Sequence, residues 1–167
     1  ASTTKIMTAL IALDEYDLGE VVTVGNASES VGHTADLYNG EKLTVLSLLQ
    51  AMMISSGNDA AFALASHHPK GYEYFVSLMN QKAHTLDMKN THYSNVSGLE
   101  NWTHYSSARD LAMLTKEAMK NLTFRSIVNT PSVTVSSIDG QFSHQLVNLN
   151  ELLGKVEGVM GVKTGWT

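Results

Sequence analysis

At 167 residues, 43% hydrophobic and 16% charged, the chain has the size and composition of one globular domain. Its formal net charge of −5 argues against an electrostatic nucleic-acid surface, which needs clustered Lys and Arg. It has no cysteine, so disulfides and thiolate metal sites are excluded and the redox compartment stays open.

The first predicted element is "STTKIMTALIALDEY", a helix whose apolar positions Ile6, Met7, Leu10, Ile11 and Leu13 cover most of its circumference. Such a helix has to be buried on most sides. Its apolar stretch, Ile6 to Leu13, is interrupted by Thr8 and is far too short to cross a bilayer. "EVVTVG" reads as a short strand ended by Gly25. "LTVLSLLQAMMIS" is a second apolar helix with Thr44 as N-cap, and its Met52-Met53 pair reads as core filler. The cluster "SSGND" breaks it, and Asp59 is expected to cap the next helix, "AAFALASHH". "YEYFVSLMNQKAHTLD" has amphipathic helical spacing. "SSARDLAMLTKEAMKN" opens on a capping-box pattern from Ser107 to Asp110. After Pro131, "SVTVSSIDGQFSHQLVN" reads as two strands joined by the turn "DG", and "GVMGVKTGWT" as a final strand. Helices followed by strands predict an α+β fold, helices packed on a mainly antiparallel sheet.

Three short groups could carry chemistry, and each also has an ordinary structural reading. Ser2 and Lys5 lie one helical turn apart and share a face. A serine hydroxyl needs a base to become a good nucleophile. A lysine serves only when neutral, and with an ordinary pKa of about 10.4 that form costs roughly 4.6 kcal/mol at pH 7. Burial, the positive end of the helix dipole and a neighbouring cation would each lower the pKa. Alternatively, Ser2 is an N-cap and Lys5 a solvated first-turn residue. Ser56 and Asn58, in "SSGND", offer a hydroxyl to relay a proton and an amide to hold Lys5 or a substrate. Equally, Gly57 suits a helix C-terminus and Asn58 or Asp59 an N-cap. In "KTG", Lys163 and Thr164 present a cation and a hydroxyl to a carboxylate. Gly165 lets another backbone lie alongside, or simply turns a polar strand end.

The three groups occur in the order SxxK, SxN, KTG, with 54 residues from Ser2 to Ser56 and 107 from Ser56 to Lys163. This ordered set resembles the signature of penicillin-recognising serine acyl-enzymes. The passages "ASTTKIMTA", "SSGNDAA", "MKNTHYSNVSGL", "HYSSARDLA" and "GVKTGWT" are similar to the low-molecular-mass D-alanyl-D-alanine carboxypeptidases, peptidase family S11. That family has SGN where class A β-lactamases have SDN, and it carries the "GL…YSSARD" passage. Glu100 lies near where such a lactamase holds its deacylating glutamate. His104 stands where the lactamase pattern wants Asn, so Glu100 is read as a solvated loop residue. Met160 departs from the family, which often has Asp there.

The resemblance implies a penicillin-binding/β-lactamase-like fold and a serine-type carboxypeptidase that removes the terminal D-alanine from peptidoglycan stem peptides. Neutral Lys5 would take the proton of Ser2, which forms the acyl-enzyme. Ser56, with Lys163, would return a proton to the leaving D-alanine, and Asn58 would hold the substrate amide. Lys163 and Thr164 would bind the terminal carboxylate beside Gly165, and the backbone N–H groups of Ser2 and Trp166 would form the oxyanion hole. No metal or organic cofactor is expected. The implied partners are a stem peptide ending in D-Ala-D-Ala and β-lactams as covalent inhibitors. The parent protein would be exported, at the periplasm or outer face of the cytoplasmic membrane, with any anchor outside this segment. Residues 1–167 are expected to be an internal part of a longer catalytic domain, with an incomplete sheet. The alternatives are a D,D-endopeptidase using the same groups, or a catalytically silent penicillin-binding or cell-wall-binding module. The seven histidines form no metal spacing, and the sequons at Asn101 and Asn121 are read as chance.

Overall fold

The computed structural model describes residues 1–25 and 31–166; Thr167, the last residue of the expected final strand, lies outside them. A single 3₁₀ turn, Ser2–Thr4, leads into α1 (Lys5–Glu15). Residues 5 to 12 of α1 are all buried, as an apolar surface running round the helix requires. β1 (Val21–Thr23) and β2 (Lys42–Thr44) form a short antiparallel ladder. β2 runs directly into α2 (Val45–Ile54), where the Thr44 side chain accepts the Ser47 N–H at 3.1 Å, the expected cap. Met52 and Met53 are core residues of α2.

α3 (Asn58–Ser66) packs on α2 and α1. Its cap differs from the expectation. Gly57 is the N-cap and makes no side-chain bond, while Asp59 sits inside the first turn. The Asp59 carboxylate is occupied by the N–H groups of Ala35, Leu37 and Ala60, at 2.9–3.1 Å. A buried carboxylate is best satisfied by several backbone donors. Those of the 35–37 loop outcompete a simple cap.

α4 (Tyr72–Thr85) covers α1 and α3. α5 (Ala108–Ala118) begins at Ser107, whose hydroxyl accepts the Asp110 N–H at 3.2 Å. A further helix, α6 (Leu122–Val128), capped by Asn121, has no counterpart in the sequence reading. Its seven residues are too few to display a helical period, and packing of Phe124, Ile127 and Val128 stabilises it.

β3 (Ser132–Ser136) and β4 (Ser143–Val147) make the expected hairpin, with Gly140 at φ 71° in the turn. Val135, His144 and Leu146 face the core. His144 Nε2 meets the buried Glu41 carboxylate at 2.8 Å, joining the hairpin to the segment before β2. The fold is α+β, and both ladders are antiparallel pairs.

One expected element is absent among the described residues: 159–166 belong to no ladder. No described strand lies beside them, and a β conformation is maintained by pairing rather than by propensity. The segment is tied down otherwise. Leu149 N–H donates to the Ile54 carbonyl at 3.3 Å, and Asn150 Nδ2 to the Gly161 carbonyl at 3.0 Å. The chain thus returns from the hairpin to the end of α2, where Ser56 lies.

Candidate active site

The 3₁₀ turn and first residue of α1 set Ser2 and Lys5 on one face, with Lys5 Nζ 2.9 Å from Ser2 Oγ. Lys5 is fully buried. Its nitrogen also reaches Asn58 Oδ1 at 2.6 Å and the Ser97 carbonyl at 3.2 Å. Asn58 Nδ2 donates to the Val31 carbonyl at 2.6 Å, which fixes the orientation of the amide. Neither residue takes the ordinary structural role considered above: Ala1 precedes the first turn, and Asn58 faces the lysine.

Ser56 occupies the α2–α3 connection with φ 65°, a left-handed conformation rare outside glycine. Such strain persists where surrounding contacts over-determine it, and it concentrates at functional positions. Gly57 follows for a steric reason. A Cβ there would lie 2.6 Å from Asp59 Oδ1 and 2.8 Å from Ala35 Cβ. Lys163 then donates to Ser56 Oγ at 2.9 Å and to the Thr164 carbonyl at 3.0 Å, leaving one of its three N–H groups for an incoming anion.

Burial is the main cause that lowers the Lys5 pKa, to about 7, with the Lys163 ammonium adding to it and Asp59 opposing. The neutral amine, costly in water, is therefore freely populated near pH 7. Burial lowers Lys163 to about 8, so it keeps its charge over most of that range. Burial thus lowers both lysines, and Lys5 the further because the Lys163 ammonium adds to it.

Ser2, Ser56, Thr164, Gly165 and Trp166 line one open groove of about 410 Å³, together with His33 and Leu149. This is the range of small-ligand sites. Segment 163–166 lies against the Ser2–Thr4 turn, since a Cβ at Gly165 would be 3.2 Å from Ala1 Cβ and Thr3 Cγ2. Trp166 is almost fully exposed at the rim. All eight residues singled out in the sequence therefore converge on one locality. Glu100 is exposed, and His104 instead bonds Thr4 Oγ1 at 2.7 Å.

Sequence reasoning missed three contributors. His33 and Leu149 reach the groove through loop placement, for which no local signal exists. Ser97 contributes a backbone carbonyl, invisible in residue type, although Gly98 after it (φ 86°) marks a turn.

A serine beside a buried amine of lowered pKa, a second serine, an amide and a cation thus meet on one groove, the residue types that acyl transfer to serine requires. The chain matches the Peptidase S11, D-alanyl-D-alanine carboxypeptidase, family over residues 1–167 and belongs to it. It is 38% identical to D-alanyl-D-alanine carboxypeptidase DacF of Bacillus subtilis, over all of this chain and 44% of the relative. It is 34% identical to a D-alanyl-D-alanine endopeptidase of Pseudomonas aeruginosa, over all of this chain and 55% of that one. The Streptomyces K15 DD-transpeptidase crystal structure superposes with TM-score 0.93 at 37% identity, covering 99% of this chain and 70% of that one. The chain spans about half the length of the curated relatives it matches.

Proposed function

We propose that residues 1–167 are part of the catalytic domain of a serine-type D-Ala-D-Ala carboxypeptidase acting on peptidoglycan stem peptides. The observation that carries this reading is the Lys5 amine, buried and held 2.9 Å from Ser2 Oγ, with Lys163 on Ser56 beside it. Lys5, neutral, takes the Ser2 proton as Oγ attacks the carbonyl between the two D-alanines. The backbone N–H groups of Ser2 and Trp166 stabilise the oxyanion, where losing one donor typically costs on the order of 10²–10³ in rate. The proton taken up by Lys5 is relayed through the Ser56 hydroxyl, which Lys163 polarises, to the departing D-alanine amine, so that Lys5 is neutral again. Asn58 holds the acyl-side amide. Lys163 and Thr164 bind the terminal carboxylate, which restricts cleavage to the last residue. Water then releases the acyl group from Ser2.

A β-lactam would acylate the same serine. Because the substrate lies outside the cytoplasmic membrane, the protein is assigned to the cell envelope as an exported enzyme. The endopeptidase reading remains the second choice, favoured by the relative of that name. A silent binding module is disfavoured because every reacting group is present and its amine is tuned.

The test is intact mass spectrometry of the full-length protein after benzylpenicillin, paired with D-alanine release from a pentapeptide and from a cross-linked dimer. A penicilloyl adduct on Ser2, absent in Ser2→Ala, together with D-alanine release from the pentapeptide is expected. No adduct at Ser2 refutes the acyl-enzyme, and cleavage of the dimer alone moves the assignment to endopeptidase.

A further inference from the structure

A neutral primary amine carries two N–H groups and one lone pair, and only the lone pair can accept the Ser2 proton. Lys5 Nζ has three oxygen neighbours: Ser2 Oγ, Asn58 Oδ1 and the Ser97 carbonyl. A carbonyl oxygen only accepts. Asn58 Oδ1 is held toward Lys5 because Nδ2 is engaged by Val31. Two obligate acceptors therefore consume both N–H groups, and the lone pair is left facing Ser2. With only one such acceptor, the amine could turn an N–H onto Ser2 Oγ and would then be useless as a base.

The Ser97 carbonyl is put in place by Asn95. Asn95 Oδ1 accepts the Ser97 N–H at 3.2 Å and the Gly98 N–H at 2.8 Å, while Nδ2 donates to the Leu99 carbonyl at 2.9 Å. One side chain thereby closes the whole turn, as Asn does when its oxygen replaces a backbone acceptor. Gly98 completes it. At φ 86° it tolerates the turn, and a Cβ there would overlap the Ala1 carbonyl. His104 pins the far side of the same loop, accepting the Ser94 N–H at 3.1 Å and binding Thr4 Oγ1.

We infer that Asn95 is a positioning residue for the acyl-transfer step, acting through the Ser97 carbonyl to aim the Lys5 lone pair at Ser2. This rests on the proposed function, since it presumes that Lys5 is the base. Asn95 itself touches neither Ser2 nor Lys5 through any hydrogen bond of the site.

The test is stopped-flow acylation of the full-length protein by a chromogenic cephalosporin, separating the pre-covalent Kd from the first-order acylation rate. In Asn95→Ala the acylation rate is expected to fall about 10- to 100-fold with Kd unchanged. Asn95→Asp, which keeps Oδ1 for both N–H groups, recovers most of the loss. Ser97→Ala leaves the rate within twofold, because the carbonyl and not the hydroxyl is used. A merely structural role would lower the labelled fraction and leave the rate constant of the remainder intact. Should Asn95→Ala fail to fold, Asn95→Ser takes its place, with a shorter acceptor and an intermediate rate expected. A wild-type acylation rate in Asn95→Ala (or in Asn95→Ser where it stands in), or a large loss in Ser97→Ala, would overturn the inference alone. Failure of the wild type to acylate at Ser2 would instead sink the proposed function.

Discussion

The two cations of the site are carried by opposite kinds of backbone. Lys5 stands at the start of a helix whose next seven residues are buried, and three separate segments hold its nitrogen. Lys163 stands on a stretch outside every described helix and ladder, between the half-exposed Met160 and the exposed Trp166. A helix satisfies its own backbone and needs only its apolar surface covered, whereas a chain outside helix and ladder depends on neighbours for its hydrogen bonds. The Ser2–Lys5 half of the site is thus fixed by the core. The Lys163 half is fixed by a few side-chain ties, of which Lys163 to Ser56 and Asn150 to Gly161 are explicit.

The comparison can be broken most decisively at its rigid end. Lys5→Ala removes the proposed base, and the acylation rate by benzylpenicillin is expected to fall by on the order of 10²–10⁴. An unchanged rate in quench-flow would remove the helix-borne lysine from the chemistry.

The second question is whether the hairpin really anchors the weaker half. His144→Ala takes one of two partners from the fully buried Glu41 carboxylate, leaving it the Tyr38 N–H at 3.0 Å. Taking a hydrogen bond from a buried carboxylate costs about 3 kcal/mol, read as a lower urea midpoint. A loss below 1 kcal/mol would mean that apolar contact and the Ile138 N–H to Lys42 carbonyl bond hold the hairpin without it.

The smallest effect is expected at the Lys163 end. Lys163→Ala forfeits a charge-assisted bond of about 1.5–3 kcal/mol, or roughly 10- to 100-fold in kcat/KM for a D-Ala-D-Ala peptide. The pH profile sharpens this. In the wild type, kcat/KM rises through about pH 7 as Lys5 loses its proton and falls above about 8 as Lys163 loses its charge. In Lys163→Ala the cation that depresses Lys5 is gone, so the Lys5 pKa rises. The acid limb should move to higher pH, and the alkaline limb near pH 8 should vanish. An acid limb that stays in place would show that burial alone tunes Lys5.

What could be read beforehand follows the same division. The all-round apolar surface of α1, the caps Thr44 and Ser107 and the turn at Asp139-Gly140 were legible because each is settled within a few residues of chain. The chemistry-bearing groups were legible as residue types in order, and the family was recognisable from the text around them. α6 was not, being too short for its period to show, and neither was the task of Asp59, whose N–H donors come from residues 35 and 37.

By itself, then, the amino-acid sequence determined which side chains could react and where the helices begin, since caps and periodicity are local hydrogen-bonding and burial effects. Tertiary structure alone decided that Ser2, Lys5, Ser56, Asn58 and Lys163 meet. It also decided that a carbonyl at residue 97 faces Lys5, and that an amine with an ordinary value of 10.5 titrates at about 7. The reason is physical. Desolvation and long-range pairing depend on what surrounds a group in space, and only the packed chain supplies those surroundings.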